Sequence, residues 1–223
     1  DVSPVQSANS ASGLYVFAKI SANSRYIVYS SDATDLVATD TNGFTDIFIY
    51  DIVSKENRLI SLDSFGNQAN HISLHPSISA DGRYVAFMSQ ATNLGSDNNL
   101  FFSDVFLRDT QTNQTILISK AYNINEFTNG SSSTPVISSD GNYIAFFSNA
   151  TNLVSDVIDT NNGSDIFVYN RNTNETKLIS FSHTSVLSTA NNYSYVDSIS
   201  ANGCYISFTS LASDLIPTDV NTL

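Results

Sequence analysis

The 223-residue chain has one cysteine, one methionine, four prolines and no tryptophan. Its lone thiol, Cys204, cannot form an internal disulfide, so no cross-linked framework supports the fold and the cysteine says nothing about compartment. Cys204 stands beside an expected turn and reads as an incidental thiol. Basic residues are also scarce: 9 Lys and Arg against 21 Asp and Glu give a net charge of −12. Affinity for a phosphate backbone or an anionic membrane surface comes from clustered basic groups that displace counterions, so nucleic acid is not an expected partner. No apolar run reaches the roughly 18 residues of a membrane-crossing helix, so membrane insertion is not expected. The first residues lack the basic and apolar regions of a signal peptide, although a signal could have been removed. What is present is 41% hydrophobic and only 13% charged, a composition that suits a folded chain with a sizeable core.

Within that composition one sequence recurs four times, beginning at Ile20, Ile78, Ile137 and Ile199. Copies about 60 residues apart imply one supersecondary unit stacked on itself. In the second copy, residues 71–79 alternate through Ile72, Leu74, Pro76 and Ile78, Asp81-Gly82 supplies a turn with positive φ, and residues 83–89 alternate again. That hairpin is followed by a polar loop and a second hairpin, residues 104–109 and 114–119, around the turn residues 110–113. Each unit is therefore four antiparallel strands, a to d. No segment carries a sustained helical period, so the chain is expected to be all-β. Four-stranded sheets repeated radially are the blades of a β-propeller. The expected blades are residues 14–61, 72–119 and 134–180, with a partial fourth at 195–223.

The turns Ser79-Ala80-Asp81-Gly82 and Ser138-Ser139-Asp140-Gly141, the strand Tyr143-Ile-Ala-Phe and the strand Asp165-Ile-Phe-Val-Tyr resemble the TolB-like, or WD-like, propeller repeats. Ala80 and Ser139 stand where that family often has proline. The resemblance runs over about residues 14 to 215 and implies a propeller. Members of the family serve as binding scaffolds, as periplasmic interaction partners and as regulatory domains of peptidases. Closed propellers have about four to eight blades, and an incomplete one leaves open sheet edges. The chain is accordingly expected to be part of a larger propeller, with an open array or self-assembly through the incomplete blade as alternatives.

The loop between strands b and c carries a recurrent acidic pattern: Asp40, Asn42 and Asp46; Asp97, Asn99 and Asp104; Asp159, Asn161 and Asp165; Asp219 and Asn221. These are hard oxygen ligands at close spacing, and Gly43 or Gly163 allows a tight turn, which makes calcium the candidate ion and the only candidate cofactor. The competing reading is that Asp and Asn cap turns through their own backbone. The twelve-residue calcium loop and its final Glu are absent.

For catalysis the inventory is thin. His71, His75 and His183 have no cysteine partners, and alternation would place His71 and His75 on one strand face as ordinary polar residues. There is no Gly-X-Ser-X-Gly elbow, phosphate loop or His-Glu-X-X-His motif. Tyr26, Tyr84, Tyr143 and Tyr205 share one repeat position, and Phe48, Phe106 and Phe167 another, as packing between blades requires. Connections from d to a, such as residues 123–133 and 182–195, vary, and specificity usually resides in variable loops on a rigid scaffold. Asn113, Asn129, Asn149, Asn162, Asn174 and Asn192 each open a glycosylation sequon. The expected function is a non-catalytic extracellular, cell-surface or periplasmic scaffold for a protein or glycan partner. Two alternatives are the propeller of a larger hydrolase and a surface or appendage subunit that assembles through open blade edges.

Overall fold

The computed structural model describes residues 8–10, 18–95, 102–159 and 161–219, and among them there is no helix. Blade 1 holds β1 (Lys19–Ile20), β2 (Tyr26–Ser31), β3 (Asp46–Asp51) and β4 (Glu56–Leu59), in that spatial order. Blade 2 repeats the order with β5 (Ser73–Ile78), β6 (Tyr84–Ser89), β7 (Asp104–Asp109) and β8 (Gln114–Leu117). Blade 3 does so with β9 (Ser132–Ile137), β10 (Tyr143–Ser148), β11 (Asp165–Asn170) and β12 (Glu175–Leu178). A hairpin of β13 (Phe181–Ser182) and β14 (Ser185–Thr189) follows, and the fourth repeat supplies the antiparallel pair β15 (Ser194–Ile199) and β16 (Ile206–Ser210). Residues 14–17, expected in blade 1, lie outside the described residues.

The expected strands b and c are the central strands of each sheet, and both their faces are covered. Every residue of β6 is buried, so the polar-apolar alternation of a half-exposed strand is lost there. One core, with Val28, Ile49, Val85, Phe87 and Phe106, joins blades 1 and 2; a second, with Ala86, Leu107, Ile144, Phe146 and Phe167, joins blades 2 and 3. Inside each blade a b–c ring pair stacks: Tyr29 on Phe48, Phe87 on Phe106 and Phe146 on Phe167, with centroids 5.9 to 6.0 Å apart. Burying one such ring contributes about 1.5–3 kcal/mol.

The a–b turn differs from the two-residue turn that Asp-Gly suggests. Gly82 has φ of +79°, but Asp81 is not among the positive-φ residues. The turn is wider because Ser79 organises it: its backbone N–H donates to the Tyr84 carbonyl, the Tyr84 N–H donates to Ser79 Oγ, and that hydroxyl donates to Asp81 at 2.6 Å. The same bonds recur around Ser21, Ser138 and Ser200, with Asn in place of Asp at 23 and 202. Neighbouring turns then join through backbone bonds, Asn23 N–H to the Ala80 carbonyl, Ala80 to Ser139 and Ser139 to Ala201. Three of the four tyrosines from the expected packing position, Tyr26, Tyr84 and Tyr143, lie on the next blade's turn glycine. A Cβ built on Gly82 would stand 2.1 Å from Tyr26, on Gly141 2.3 Å from Tyr84, and on Gly203 2.1 Å from Tyr143. Tyr205, the fourth member, is exposed.

Strand d ends two residues earlier than its apolar pattern suggests. Ser61, Ser119 and Ser180 leave the ladder, and each hydroxyl accepts the N–H of Ile47, Val105 or Ile166 and donates to Asp46, Asp104 or Asp165. One buried side chain departs from the repeat. Arg108, where the other blades have Tyr50 and Tyr169, donates to the Asp63 and Asn113 carbonyls at 2.8 Å and to Thr115 Oγ1 at 3.0 Å, tying the blade 1 to 2 connection to blade 2.

Candidate functional site

The acidic loops are engaged in holding blades together. In blade 1, Asp46 is fully buried; its Oδ1 accepts Ser61 Oγ at 2.5 Å and its Oδ2 accepts Asn42 Nδ2 at 2.8 Å and Gln68 Nε2 at 3.0 Å. Gln68, from the connection to blade 2, also donates to Asp40 at 2.8 Å, and Asn42 also donates to the Ala69 carbonyl. Blade 3 repeats this: Asn161 donates to the Ala190 carbonyl, Asp165 accepts Ser180 at 2.9 Å, and Asp159 accepts the N–H groups of Asn161 and Asn162. Asp104 accepts Ser119 and Thr128 hydroxyls in blade 2. The structure thus gathers Asp40, Asn42 and Asp46, and likewise Asp159, Asn161 and Asp165. Asp219 is half-buried, while Asp97, Asn99 and Asn221 lie outside the described residues.

Burial dominates the electrostatics here. It pushes the Asp46 carboxyl up to about 6 against the donors from Ser61, Asn42 and Gln68, with Asp40 adding like-charge repulsion. It pushes Asp165 up to about 7, with Asp159 and Asp214 contributing in the same direction. At the opposite blade corners the order reverses. Asp51 is held at about 2, chiefly by the Arg25 guanidinium that clasps it at 2.8 and 3.2 Å. Asp109 is raised by burial, yet Arg83 and the N–H groups of Gln111 and Thr112 outweigh that and hold it at about 2.

A second repeated device was not anticipated. Asn70, in the connection entering blade 2, donates from its side chain to Thr92 Oγ1 at 2.9 Å, accepts the Thr92 N–H at 2.9 Å, and gives its own N–H to Asn93 Oδ1. Asn129 makes these bonds with Thr151 and Asn152, Asn191 with Ser213 and Asp214, and Asn9 with Thr34 and Asp35. Each connection is therefore fastened to the b–c loop of the blade it enters. The readable signal is an Asn in phase with a Thr or Ser 22 residues later in three copies.

The inner strands do the reverse of repeating. β5, β9 and β15 are bulged at Leu74–Ser77, Ser133–Val136 and Val196–Ser198, and the bulges turn unlike residues into one cleft of about 350 Å3. Lys19, His75, Thr134, Val196 and Asp197 line it over the buried rings of Pro76 and Pro135. His75 and Thr134 have φ of +53° and +44°, a left-handed backbone that is costly for any residue before proline and most for a β-branched one. Thr134 Oγ1 is also buried without a hydrogen-bond partner. Burial lowers the pKa of His75, so it faces the cleft as a neutral imidazole at pH 7. Lys19 and Asp197 give the cleft a cation and an anion, and Asp197 accepts Thr209 Oγ1 at 3.1 Å. His71 and His75 do not share a strand face: His71 precedes β5 and stacks on Phe44 at 4.9 Å. His183 contacts the Asp214 carbonyl, at 2.7 Å from its Nδ1.

No family model and no curated protein matches the chain. Solved structures do. A TolB candidate from Agrobacterium tumefaciens superposes with a TM-score of 0.50 at 13% identity, over 89% of this chain and 60% of that one. TolB from Acinetobacter baumannii gives 0.44 at 12% identity, over 77% and 32%. The β-propeller domain of the Trilobed protease from Pyrococcus furiosus gives 0.44 at 14%, over 77% and 43%. The chain thus spans between about a third and two thirds of the length of these proteins. The fold is that of a TolB-like β-propeller, and the described residues form three four-stranded blades and a two-stranded fourth repeat.

Proposed function

We propose that this TolB-like propeller fold serves as a non-catalytic binding scaffold outside the cytoplasm, at the cell surface, in the periplasm or in the medium, and that its inner-strand cleft receives a protein or glycan partner. One observation carries the reading: the cleft is where successive repeats place unlike residues on strained, bulged backbone. Elsewhere, in the turns, strand ends and connections, the copies make matching bonds, which serve folding and leave little room for specificity. Concave sites with an apolar floor and a few polar groups are where partners are recognised, and backbone strain gathers at such places. A neutral imidazole, one ammonium, one carboxylate and two proline faces suit an extended polar chain, whether a peptide or an oligosaccharide.

Arrays of short peptides and of oligosaccharides, probed with the protein and with Asp197→Lys and His75→Ala variants, test this. Ligands captured by the parent and weakened at least about 10-fold, a change of about 1.4 kcal/mol, by both substitutions support the cleft as the site. Ligands that bind all three proteins equally would move recognition elsewhere. The absence of any ligand on both arrays would oppose the scaffold reading itself.

A further inference from the structure

The b–c loop of blade 1 contains an anionic oxygen that the protein does not satisfy. Asp40 is 5% exposed and its Oδ2 is buried with no hydrogen-bond partner, whereas Oδ1 accepts Gln68. The same Gln68 nitrogen donates to Asp46 Oδ2, so the two carboxylates face one amide and lie close together. Leaving a buried charge without a partner costs more than leaving a neutral group so, and the cost rises beside a second carboxylate. Asp51, Asp63 and Asp109 show how buried or half-buried carboxylates are otherwise managed in this chain: each has donors from a guanidinium, an amide or backbone N–H groups on both oxygens.

At the equivalent place in blade 3, Asp159 is half-exposed, and the small cavity it borders with Asp165 and Thr189 is walled mainly by Ala150, Leu153, Val154, Val157 and Phe167, so that pair offers no comparable site.

We propose that Asp40 with Asp46 is a site for a hard divalent cation, calcium in particular, held where the d-to-a connection crosses the b–c loop of blade 1. An oxygen-seeking cation takes the open Asp40 oxygen and offsets both charges of the pair. Among the described residues no three His, Cys, Asp or Glu side chains gather at one point, so the site offers two charged ligands. A low charge count places the affinity near that of extracellular calcium modules, Kd of about 10−4–10−3 M. This site is separate from the inner-strand cleft and does not depend on what the cleft binds.

The experiment is calorimetric titration of calcium chloride into chelator-treated protein at pH 7, with thermal melts alongside. The expected result is weak saturable binding and a Tm that rises with calcium. Asp40→Asn abolishes the binding. Asp63→Asn, altering a carboxylate whose two oxygens are already occupied, leaves the titration as it was. Asn is close to isosteric with Asp, and each variant's melt in chelator reports folding independently of the metal. A parent protein that shows no binding heat and no Tm shift in millimolar calcium overturns the proposal. So does a titration that survives Asp40→Asn, since the cation then sits elsewhere.

Discussion

The asparagine clasps and the inner-strand bulges both recur once per repeat, yet the first carry the same residue in each copy and the second carry different ones. Asn70, Asn129 and Asn191 each reach a Thr or Ser in the next b–c loop, and every polar atom of the clasp finds a partner. At the bulges His75, Thr134 and Val196 share a position, two of them in a left-handed backbone and one with an orphaned hydroxyl. Repetition with full hydrogen bonding is the signature of stability, and variation with strain is the signature of a surface kept for something else. If that contrast is sound, substitutions in the first class lower stability and relief of strain in the second raises it.

The largest effect is expected where a repeated turn meets the neighbouring blade. Gly141 has φ of +70°, and a Cβ there would lie 2.3 Å from the Tyr84 ring. Gly141→Ala combines left-handed strain with overpacking and should cost about 2–4 kcal/mol in urea unfolding. Ser24 holds the same turn position with φ of +57° and already bears a side chain, so Ser24→Ala should cost far less. Equal losses at the two positions would mean that the tyrosine contact contributes nothing.

The paired carboxylates come next, through pH. Asp46 and Asp165 have folded pKa values of about 6 and about 7, above an unfolded value near 3.8, so their folded forms favour the proton. Their contribution is complete below the unfolded value and is lost as pH rises through about 6 to 7. Asp51 and Asp109, held at about 2, act oppositely: their contribution is present above the unfolded value and lost as pH falls through about 2. In chelator, Tm should therefore be higher at pH 5 than at pH 7 and fall below pH 4. A Tm that instead decreases from pH 7 to pH 5, in protein carrying Asp46→Asn as well as in the parent, would remove the buried pairs from the account.

A smaller effect is expected from the clasp. Asn70→Ala deletes the donor to Thr92 Oγ1 and the acceptor for the Thr92 N–H, while the backbone bond to Asn93 survives. Two partly exposed hydrogen bonds amount to about 1–2 kcal/mol. Amide exchange of Thr92 should speed up together with the drop in stability; an unchanged rate would show that the connection is held by its apolar contacts alone.

These residues also show how far the sequence could be read. The repeat, its four strands and the Tyr–Gly contact positions were legible, because a two-residue period and recurring turn glycines are local signals. The clasp was not, since an Asn in a loop looks like any turn residue until its partner 22 residues away is in place. The β13–β14 hairpin escaped for a related reason: Val186 and Leu187 are adjacent and exposed, so no alternation marks a strand. The bulges were hidden because Pro76 and Pro135 fit the alternating pattern, and only the three-dimensional backbone shows His75 and Thr134 swung toward the cleft.

Thr134 gives the smallest effect and the one opposite in sign. Its φ of +44° is unfavourable for a β-branched residue by about 1 kcal/mol or more, and its buried hydroxyl has no partner. Thr134→Gly removes both costs and gives up one methyl group and some entropy of the unfolded chain, leaving a net gain of about 0.5–1 kcal/mol. A variant that is more stable in urea and yet binds its array ligands more weakly would show the inner strand holding strain for recognition. A variant that loses stability would show that Thr134 is packed for the fold, and the contrast between clasp and bulge would then rest on His75 alone.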